Sequence, residues 1–206
     1  MIIVDIEQGH DEWLDLRAGI PTASVFDQII TSQGMPSKSQ QKLIYRLAGE
    51  RILGHKELTY SNAAMERGIE LEGEARDCFK LITGLDIVEV GLCYKDDDEK
   101  IACSPDGLIG KHWEFAREGL EIKCPSLAVH VEYLIKGKLP TTYFQQIQGS
   151  MFVTDCEKWH FFSYHPGMKP LHIIVERDEI WIAKFSKIID DFCMELDEVH
   201  KSLLEK

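Results

Sequence analysis

Two kinds of hydrophobic spacing follow one another along the chain, and each predicts its own type of element. Apolar residues that recur every three or four positions are typical of amphipathic helices. Short runs rich in β-branched and aromatic residues, closed by Gly, Pro or Asp, are typical of strands. The spacing predicts helices over residues 22–30, 37–52, 61–83, 126–135, 142–153 and from 178 onward, and strands over 87–94, 100–104, 120–124, 159–164 and 171–177.

Capping residues predict where two of the helices begin and end. Ser37 is placed to cap the second helix and Gly54 to stop it. Ser61 or Asn62 caps the third helix, and Gly84 ends it. Since strands lie between helices in the second half of the chain, the order predicts an α/β or α+β fold in a single domain over residues 1–206.

Composition and charge narrow the class of protein. The chain has 206 residues, of which 44% are hydrophobic and 28% charged, as in globular domains that bury a core without disulfides. Its net charge of -12 argues against a passive nucleic-acid coat, which clustered Lys and Arg would hold on phosphate. It does not exclude a DNA enzyme, because a site for Mg²⁺ is itself a cluster of carboxylates.

One segment runs against this acidic balance. Residues 32–58 hold five bases and two acids, including Lys38, Lys42 and Arg46 at intervals of four. In a helix these three side chains share one face. The face is either an ordinary solvated surface or a stripe that follows a phosphate backbone.

The cellular setting is predicted from cysteine usage and from apolar runs. No apolar run reaches the length of a membrane span, and no secretion signal is visible, so no membrane partner is expected. The six cysteines are scattered without metal-type spacing. We therefore expect reduced thiols in a cytoplasmic protein.

Three ionisable residues suggest metal-dependent chemistry. Asp106 lies in a Pro-Asp-Gly turn, and Glu121 and Lys123 share one face of a predicted strand because residues two apart point the same way. Two converging carboxylates suit Mg²⁺, and a nearby ammonium can orient a metal-bound water or offset phosphate charge. The alternative is a turn Asp beside a surface Glu–Lys pair.

Polar residues on two apolar helix faces are further candidates. Glu72 is seven residues, or two helical turns, from both Met65 and Phe79, so its carboxylate lies on an apolar line. Such a carboxylate is costly unless it binds metal, is paired with an Arg, or reaches solvent at the edge of the face. Gln146 and Gln148 are either satisfied core amides or members of a site.

Together these residues resemble the phage lambda exonuclease family of the PD-(D/E)xK nuclease superfamily, over nearly the whole chain. No single motif is specific, but their order and combination are. The segments that carry the resemblance are 16–24 (LRAGIPTAS), 68–72 (GIELE), 102–108 (ACSPDGL), 120–125 (LEIKCP), 146–151 (QIQGSM) and 176–179 (ERDE).

The resemblance implies a fold, an activity and partners. It implies a central mixed sheet flanked by helices, with a restriction-endonuclease-like core. It implies a Mg²⁺-dependent exonuclease, with Mn²⁺ as an alternative ion, that digests one strand of duplex DNA from a 5′ end. It further implies a ring-shaped homotrimer, a phage single-strand annealing protein as partner, and a phage or prophage gene expressed in a bacterial host.

The resemblance also implies roles for individual residues. Asp106, Glu121 and the carbonyl of Ile122 would bind the metal ion, and Lys123 would be the catalytic lysine. Glu72 would be the acid and Gln148 the amide that helices contribute to the site. The residues implied to bind a 5′-phosphate are Arg17, Ser24 and Ser104.

Met65 has two interpretations. Because it lies two turns before Glu72 on the same helix face, it could wedge between base pairs and separate the strands, or it could be a core Met.

Three other functions remain open. One is a site-specific or structure-specific endonuclease of the same superfamily. A second is an iron–sulfur exonuclease, which the scattered cysteines disfavour. The third is a non-catalytic module that binds DNA ends.

Overall fold

A computed structural model of the chain describes residues 1–56 and 63–205, and for residues 63–66 and 69 it describes the backbone alone. Six α-helices are present in this part of the chain: α1 Asp11–Leu16, α2 Gln40–Leu53, α3 Ala63–Thr83, α4 Leu127–Lys136, α5 Phe144–Thr154 and α6 Glu179–Leu204. Short 3-10 helices span Ala23–Gln28, Trp113–Phe115 and Thr141–Tyr143. None of the described helices combines the length and apolarity needed to cross a bilayer.

The strands form two sheets. A five-stranded sheet has the order β2-β5-β6-β7-β8, and a smaller sheet has the order β1-β3-β4. The strands are β1 Ile2–Val4, β2 Ile87–Val88, β3 Leu92–Tyr94, β4 Ala102–Cys103, β5 Gly107–Ile109, β6 Glu118–Lys123, β7 Lys158–Ser163 and β8 Leu171–Glu176. In the larger sheet β6 and β7 run parallel, and the other neighbours are antiparallel. The predicted mixed sheet flanked by helices is confirmed.

The two faces of the larger sheet pack against different helices. On one face, Leu120 and Phe162 pack with Phe79 of α3. On the other, Trp159 and Phe161 join the main core with α5 and α6. Because side chains alternate along a strand, Glu121 and Lys123 lie on this second face, opposite the side that α3 covers.

The predicted strand over residues 87–94 is wrong, because this segment contributes separate strands to the two sheets. The strand is interrupted at Gly91, where an added Cβ atom would lie 2.0 Å from the carbonyl oxygen of Ile6. Only glycine permits this close approach. The hydrophobic pattern continues through the break because both strands are buried or half-buried.

Helix starts in the first third also differ from the prediction. Residues 22–30 contain a 3-10 helix, and α2 begins at Gln40 after Ser39 instead of after Ser37. Gly54 and Gly84 end α2 and α3 in the left-handed conformation, as expected. The predicted caps Ser61 and Asn62 lie outside the described residues. The single domain over residues 1–206 stays a prediction.

Candidate active site

Asp106 closes the open edge of β6. Its N–H donates to the Leu120 carbonyl at 3.1 Å, and its Oδ2 accepts from the N–H of Ile122 at 2.5 Å. The carboxylate thus occupies the place of a partner strand's carbonyl. In a strand the N–H and C=O of one residue project to the same side, so the Ile122 carbonyl faces this edge as well. Pro105, which precedes Asp106, has no N–H to offer it.

Glu121 and Lys123 stand side by side on β6. The Lys123 ammonium forms an ion pair with Glu121 Oε1, and the amide of Gln146 on α5 donates to the same oxygen at 2.7 Å. The Lys123 Nζ also lies 5.4 Å from the ring centre of Tyr143. Glu121 is 2% exposed. We call Asp106, Glu121, Lys123 and Gln146 the acidic cluster.

The acidic cluster has too little positive charge for its carboxylates. Burial, and then the charge of Glu121, raise the pKa of Asp106 well above its usual range. Burial lowers the pKa of Lys123, but Glu121 and Asp106 raise it by more, so its pKa is above the usual value and Lys123 remains an ammonium. A divalent cation would relieve the repulsion between the two carboxylates.

Glu72 approaches the acidic cluster from α3 but is paired with an arginine. Its Oε1 accepts from Arg76 at 2.6 Å, and Arg76 also binds Glu89 and donates to the main-chain carbonyl of Asp106 at 3.3 Å. Burial first, and then the charge of Glu121, raise the pKa of Glu72. The charge of Arg76 lowers it and offsets part of this rise. Arg76 therefore joins Glu72 to the turn that carries Asp106.

The resemblance assigns Gln148 to the site, but the structure places its amide away from the acidic cluster. Its amide is 1% exposed, donates to the carbonyl of Glu176 at 2.9 Å and accepts from the N–H of Asp178 at 2.8 Å. It therefore holds the junction of β8 and α6. Two residues along a helix differ by about 200° in direction, so only Gln146 faces Glu121. Both lie in one Gln-Ile-Gln motif, and the sequence contains no signal that separates them.

Arg17, Ser24 and Ser104 do come together, with Thr22 and Trp13. Arg17 donates to Ser104 Oγ at 2.8 Å, to Ser24 Oγ at 3.3 Å and to Thr22 Oγ1 at 3.4 Å. Its guanidinium carbon lies 4.1 Å from the ring centre of Trp13. We call these five residues the arginine pocket. Sequence reasoning did not include Thr22 and Trp13, which flank the Leu-Arg-Ala-Gly motif.

The arginine pocket holds a buried cation without a counter-ion. Arg17 is 7% exposed, and within the described residues no carboxylate pairs with it and its Nε has no hydrogen-bond partner. Burial lowers the pKa of Arg17 to about 10, and the fields of Cys103 and Glu121 partly oppose this. Because an unpaired buried charge is costly, the pocket is suited to an anion.

Comparison with known proteins assigns the chain to a family. The family model of the YqaJ-like viral recombinase domain matches residues 12–157, which include the arginine pocket and the acidic cluster. The chain belongs to this family. The resemblance to the lambda exonuclease family is thereby confirmed.

Solved structures extend this relationship beyond the residues that the family model matches. LHK-Exo, an alkaline exonuclease from Laribacter hongkongensis, is 32% identical with a TM-score of 0.84, and the match covers 95% of this chain and 97% of LHK-Exo. A complex of LHK-Exo with dAMP matches with a TM-score of 0.83. A phage-related exonuclease from Haemophilus somnus 129PT has a TM-score of 0.70 over 89% of this chain and 96% of its own, but at 16% identity it shows the fold alone.

A curated relative matches a shorter part of the chain. The ExoD protein of Escherichia coli strain K12 is 36% identical over 63 residues, which are 29% of this chain and 72% of ExoD.

Of the three basic residues predicted to share one helix face, only two lie on α2. Lys38 lies before α2, whereas Lys42 and Arg46 lie on it. Glu50, one turn after Arg46 on α2, accepts from the N–H of Gly19 at 3.0 Å, so α2 packs beside the segment that carries Arg17. Lys56 lies close enough to these basic residues to feel their charge. Burial, and then the charges of Arg17 and Arg46, lower the pKa of Lys56 to about 8.

Met65 and the metal site are the remaining predicted features. The side chain of Met65 lies outside the described residues, so its role as a wedge stays a prediction. Among described residues no three acidic, histidine or cysteine side chains are grouped to hold one metal ion. The ligands expected here are two carboxylates and a main-chain carbonyl, which is a smaller side-chain set.

Proposed function

We propose that this chain is a Mg²⁺-dependent exonuclease that digests one strand of linear duplex DNA from a 5′-phosphorylated end. The product would be a 3′ single strand for recombination by annealing. Membership of the YqaJ-like viral recombinase family and the similarity to LHK-Exo, an alkaline exonuclease, support a DNA exonuclease. That LHK-Exo binds dAMP, a nucleoside monophosphate, agrees with nucleotide release.

The observation that carries the proposal is that the acidic cluster, with excess negative charge, lies next to the arginine pocket, with excess positive charge. Ser104 of the arginine pocket is two residues before Asp106 of the acidic cluster, and the charge of Glu121 reaches Arg17. One region needs an anion and the other needs a cation. A DNA end with its 5′-phosphate in the pocket would place a following phosphodiester near the carboxylates.

The residues of the acidic cluster fit a Mg²⁺ ion. Asp106, Glu121 and the Ile122 carbonyl would hold it, since hard cations prefer oxygen ligands. When bound, Mg²⁺ supplies Lewis-acid chemistry, which lowers the pKa of a coordinated water and offsets phosphate charge. Lys123, as an ammonium, would stabilise negative charge on the attacked phosphate. Gln146 would keep the Glu121 carboxylate in one orientation.

The other protein residues would position DNA. Arg17, Ser24 and Ser104 would hold the terminal phosphate through charge-assisted hydrogen bonds. Lys42, Arg46 and Lys56 would contact the backbone nearby. A homotrimeric ring, a phage single-strand annealing protein as partner, and a cytoplasmic location in a bacterial host complete the proposal, and these follow from the resemblance alone.

The test is digestion of linear duplex DNA labelled at either the 5′ or the 3′ end of one strand. We expect early release of the 5′ label with Mg²⁺, loss of activity with EDTA, and faster digestion of 5′-phosphorylated than of 5′-hydroxyl ends. Mn²⁺ is assayed in parallel.

Covalently closed circular duplex provides the control, because it has no end. Cutting of this circle would replace the proposal with an endonuclease, and early release of the 3′ label would reverse its polarity. Binding to ends without any Mg²⁺- or Mn²⁺-dependent hydrolysis would leave a DNA-end-binding module.

A further inference from the structure

The hydroxyl of Ser104 lies between two groups that can only donate hydrogen bonds. Arg17 Nη1 is 2.8 Å and Trp13 Nε1 is 3.2 Å from Ser104 Oγ. Neither a guanidinium nor an indole N–H can accept, and a serine oxygen has two lone pairs. Both lone pairs of Ser104 are therefore directed at donors.

The Ser104 proton must then point away from Trp13 and Arg17. Among the side-chain hydrogen bonds within residues 1–56 and 63–205, none has Ser104 as the donor. Thr22 and Ser24 lie on the other branch of the guanidinium, 3.2 Å from each other. The Ser104 O–H is thus available to an acceptor in the arginine pocket.

Trp13 is itself held in place. Its single N–H is shared with the carbonyl of Gly91 at 3.0 Å, and its ring lies against the Arg17 guanidinium. The ring and the N–H have separable effects. The ring supports the cation, whereas the N–H determines which way the Ser104 hydroxyl points.

We propose that Trp13 is a positioning residue that acts through Ser104, keeps this hydroxyl a donor, and thereby makes the pocket select phosphorylated 5′ ends. A phosphate oxygen is an acceptor and carries charge, so it gains more from a fixed O–H donor than a terminal hydroxyl does. This inference rests on the proposed function, in which the arginine pocket receives the 5′-phosphate.

The test compares Trp13→Phe with Trp113→Phe, a matched change at an exposed Trp between β5 and β6. Phe keeps an aromatic ring beside Arg17 but lacks the N–H. The readout is the ratio of kcat/KM on 5′-phosphorylated to 5′-hydroxyl duplex. We expect Trp13→Phe to lower this ratio about tenfold, the order of one charge-assisted hydrogen bond, and Trp113→Phe to leave it at the wild-type value. Inhibition by inorganic phosphate should weaken in parallel.

A double-mutant cycle separates this role from a general structural one. If Trp13 acts through Ser104, adding Trp13→Phe to Ser104→Ala should change the ratio by less than about twofold. Additive losses, or an unchanged ratio in Trp13→Phe, would overturn the inference. Should Trp13→Phe fail to fold, an unchanged ratio in Ser104→Ala alone would overturn it.

The outcome also distinguishes this inference from the proposed function. A wild-type enzyme with no preference for phosphorylated ends contradicts the phosphate-binding part of the proposed function. A wild-type preference that is lost in Arg17→Ala but retained in Trp13→Phe contradicts the role of Trp13 alone.

Discussion

The acidic cluster and the arginine pocket are neighbours with opposite electrostatic deficits. In the cluster, Asp106 and Glu121 face a single ammonium, and burial together with the charge of Glu121 raises the pKa of Asp106. In the pocket, a buried guanidinium is surrounded by hydroxyls and an aromatic ring, and burial lowers the pKa of Arg17 to about 10. The cluster therefore has an excess of negative charge, and the pocket has an excess of positive charge.

Under the proposed function, the two regions complement two ligands at once. A cation would relieve the cluster and an anion would relieve the pocket, and a phosphate-bearing substrate with Mg²⁺ would supply both. Because Ser104 of the pocket and Asp106 of the cluster are two residues apart, binding in one region would place the substrate relative to the other. Variants that disturb one region and spare the other should break this complementarity.

The largest effect is expected for Lys123→Ala. Without the ammonium, the cluster loses its charge-stabilising donor, and kcat on linear 5′-phosphorylated duplex should fall about 10²–10³-fold. DNA affinity, measured by fluorescence anisotropy with Ca²⁺, should change less than about threefold. Lys136→Ala is the control, because Lys136 is exposed and pairs with Glu132 on its own helix. Near wild-type activity in Lys123→Ala would show that the cluster is not catalytic.

Arg17→Ala should have a smaller effect that depends on the DNA end. Loss of the charge-assisted bonds to phosphate should slow digestion of 5′-phosphorylated ends about 10–100-fold. Ends with a 5′-hydroxyl should be affected far less. Kinetics on both substrates provide the measurement, with exposed Arg117→Ala as the control. Equal losses on both ends would remove the phosphate-binding role of the pocket.

Two glutamines on α5 provide a matched pair. Gln146→Ala should lower kcat about tenfold, because Glu121 loses a donor, while the free energy of unfolding changes by less than about 1 kcal/mol. Gln148→Ala should instead lower the free energy of unfolding by about 2 kcal/mol, since the Glu176 carbonyl and the Asp178 N–H each lose a hydrogen bond to the buried Gln148 amide. Urea unfolding and initial rates distinguish them. The reverse pattern would restore Gln148 to the site.

The smallest effect is a pH-dependent stabilisation by Mg²⁺. Since the pKa of Asp106 is raised in the folded, metal-free protein, its contribution to stability is present below the ordinary aspartate pKa and is lost as pH rises through the raised value. Added Mg²⁺ should therefore raise the Tm more at pH 8 than at pH 5. At saturating Mg²⁺ and pH 8, we expect an increase in Tm of roughly 5 °C. Differential scanning fluorimetry measures this shift.

Asp106→Asn is the matched variant for that experiment. It removes the charge while retaining an acceptor for the N–H of Ile122, so the metal-free Tm at pH 8 should exceed that of the wild type. The Mg²⁺ increment should disappear. A full increment in Asp106→Asn would place the metal ion elsewhere.

Local rules predicted the elements whose ends are marked by capping residues or glycines in the sequence. Gly54 and Gly84 ended helices as expected, and the terminal helix begins after Asp178, whose side chain accepts from the N–H of Trp181 at 2.9 Å. The sequence pattern missed β1 and β5, which are three residues long and are stabilised by pairing with distant segments. It also joined two strands across Gly91, because a close approach to Ile6 has no local signal.

The residues of the site divide in the same way. Alternation alone put Glu121 and Lys123 on one face of β6, and the helical period put Glu72 in line with Phe79 on the face of α3 that packs against the sheet. The choice between Gln146 and Gln148, the pairing of Glu72 with Arg76, and the contact of Trp13 with Ser104 depend on how helices dock on strands. Ser104 is 91 residues from Trp13, so no local rule could have paired them.

Short-range rules were enough to predict most of the helices and strands, the periodic placement of their side chains, and the combination of motifs that indicates a family. These depend on backbone geometry and side-chain chemistry over a few residues. Tertiary packing, in contrast, sets which polar groups are hydrogen-bonded to one another, which charges of the described residues lack a partner, and which side of α5 faces the carboxylates. Those properties arise when segments far apart in the chain are packed together and water is excluded between them.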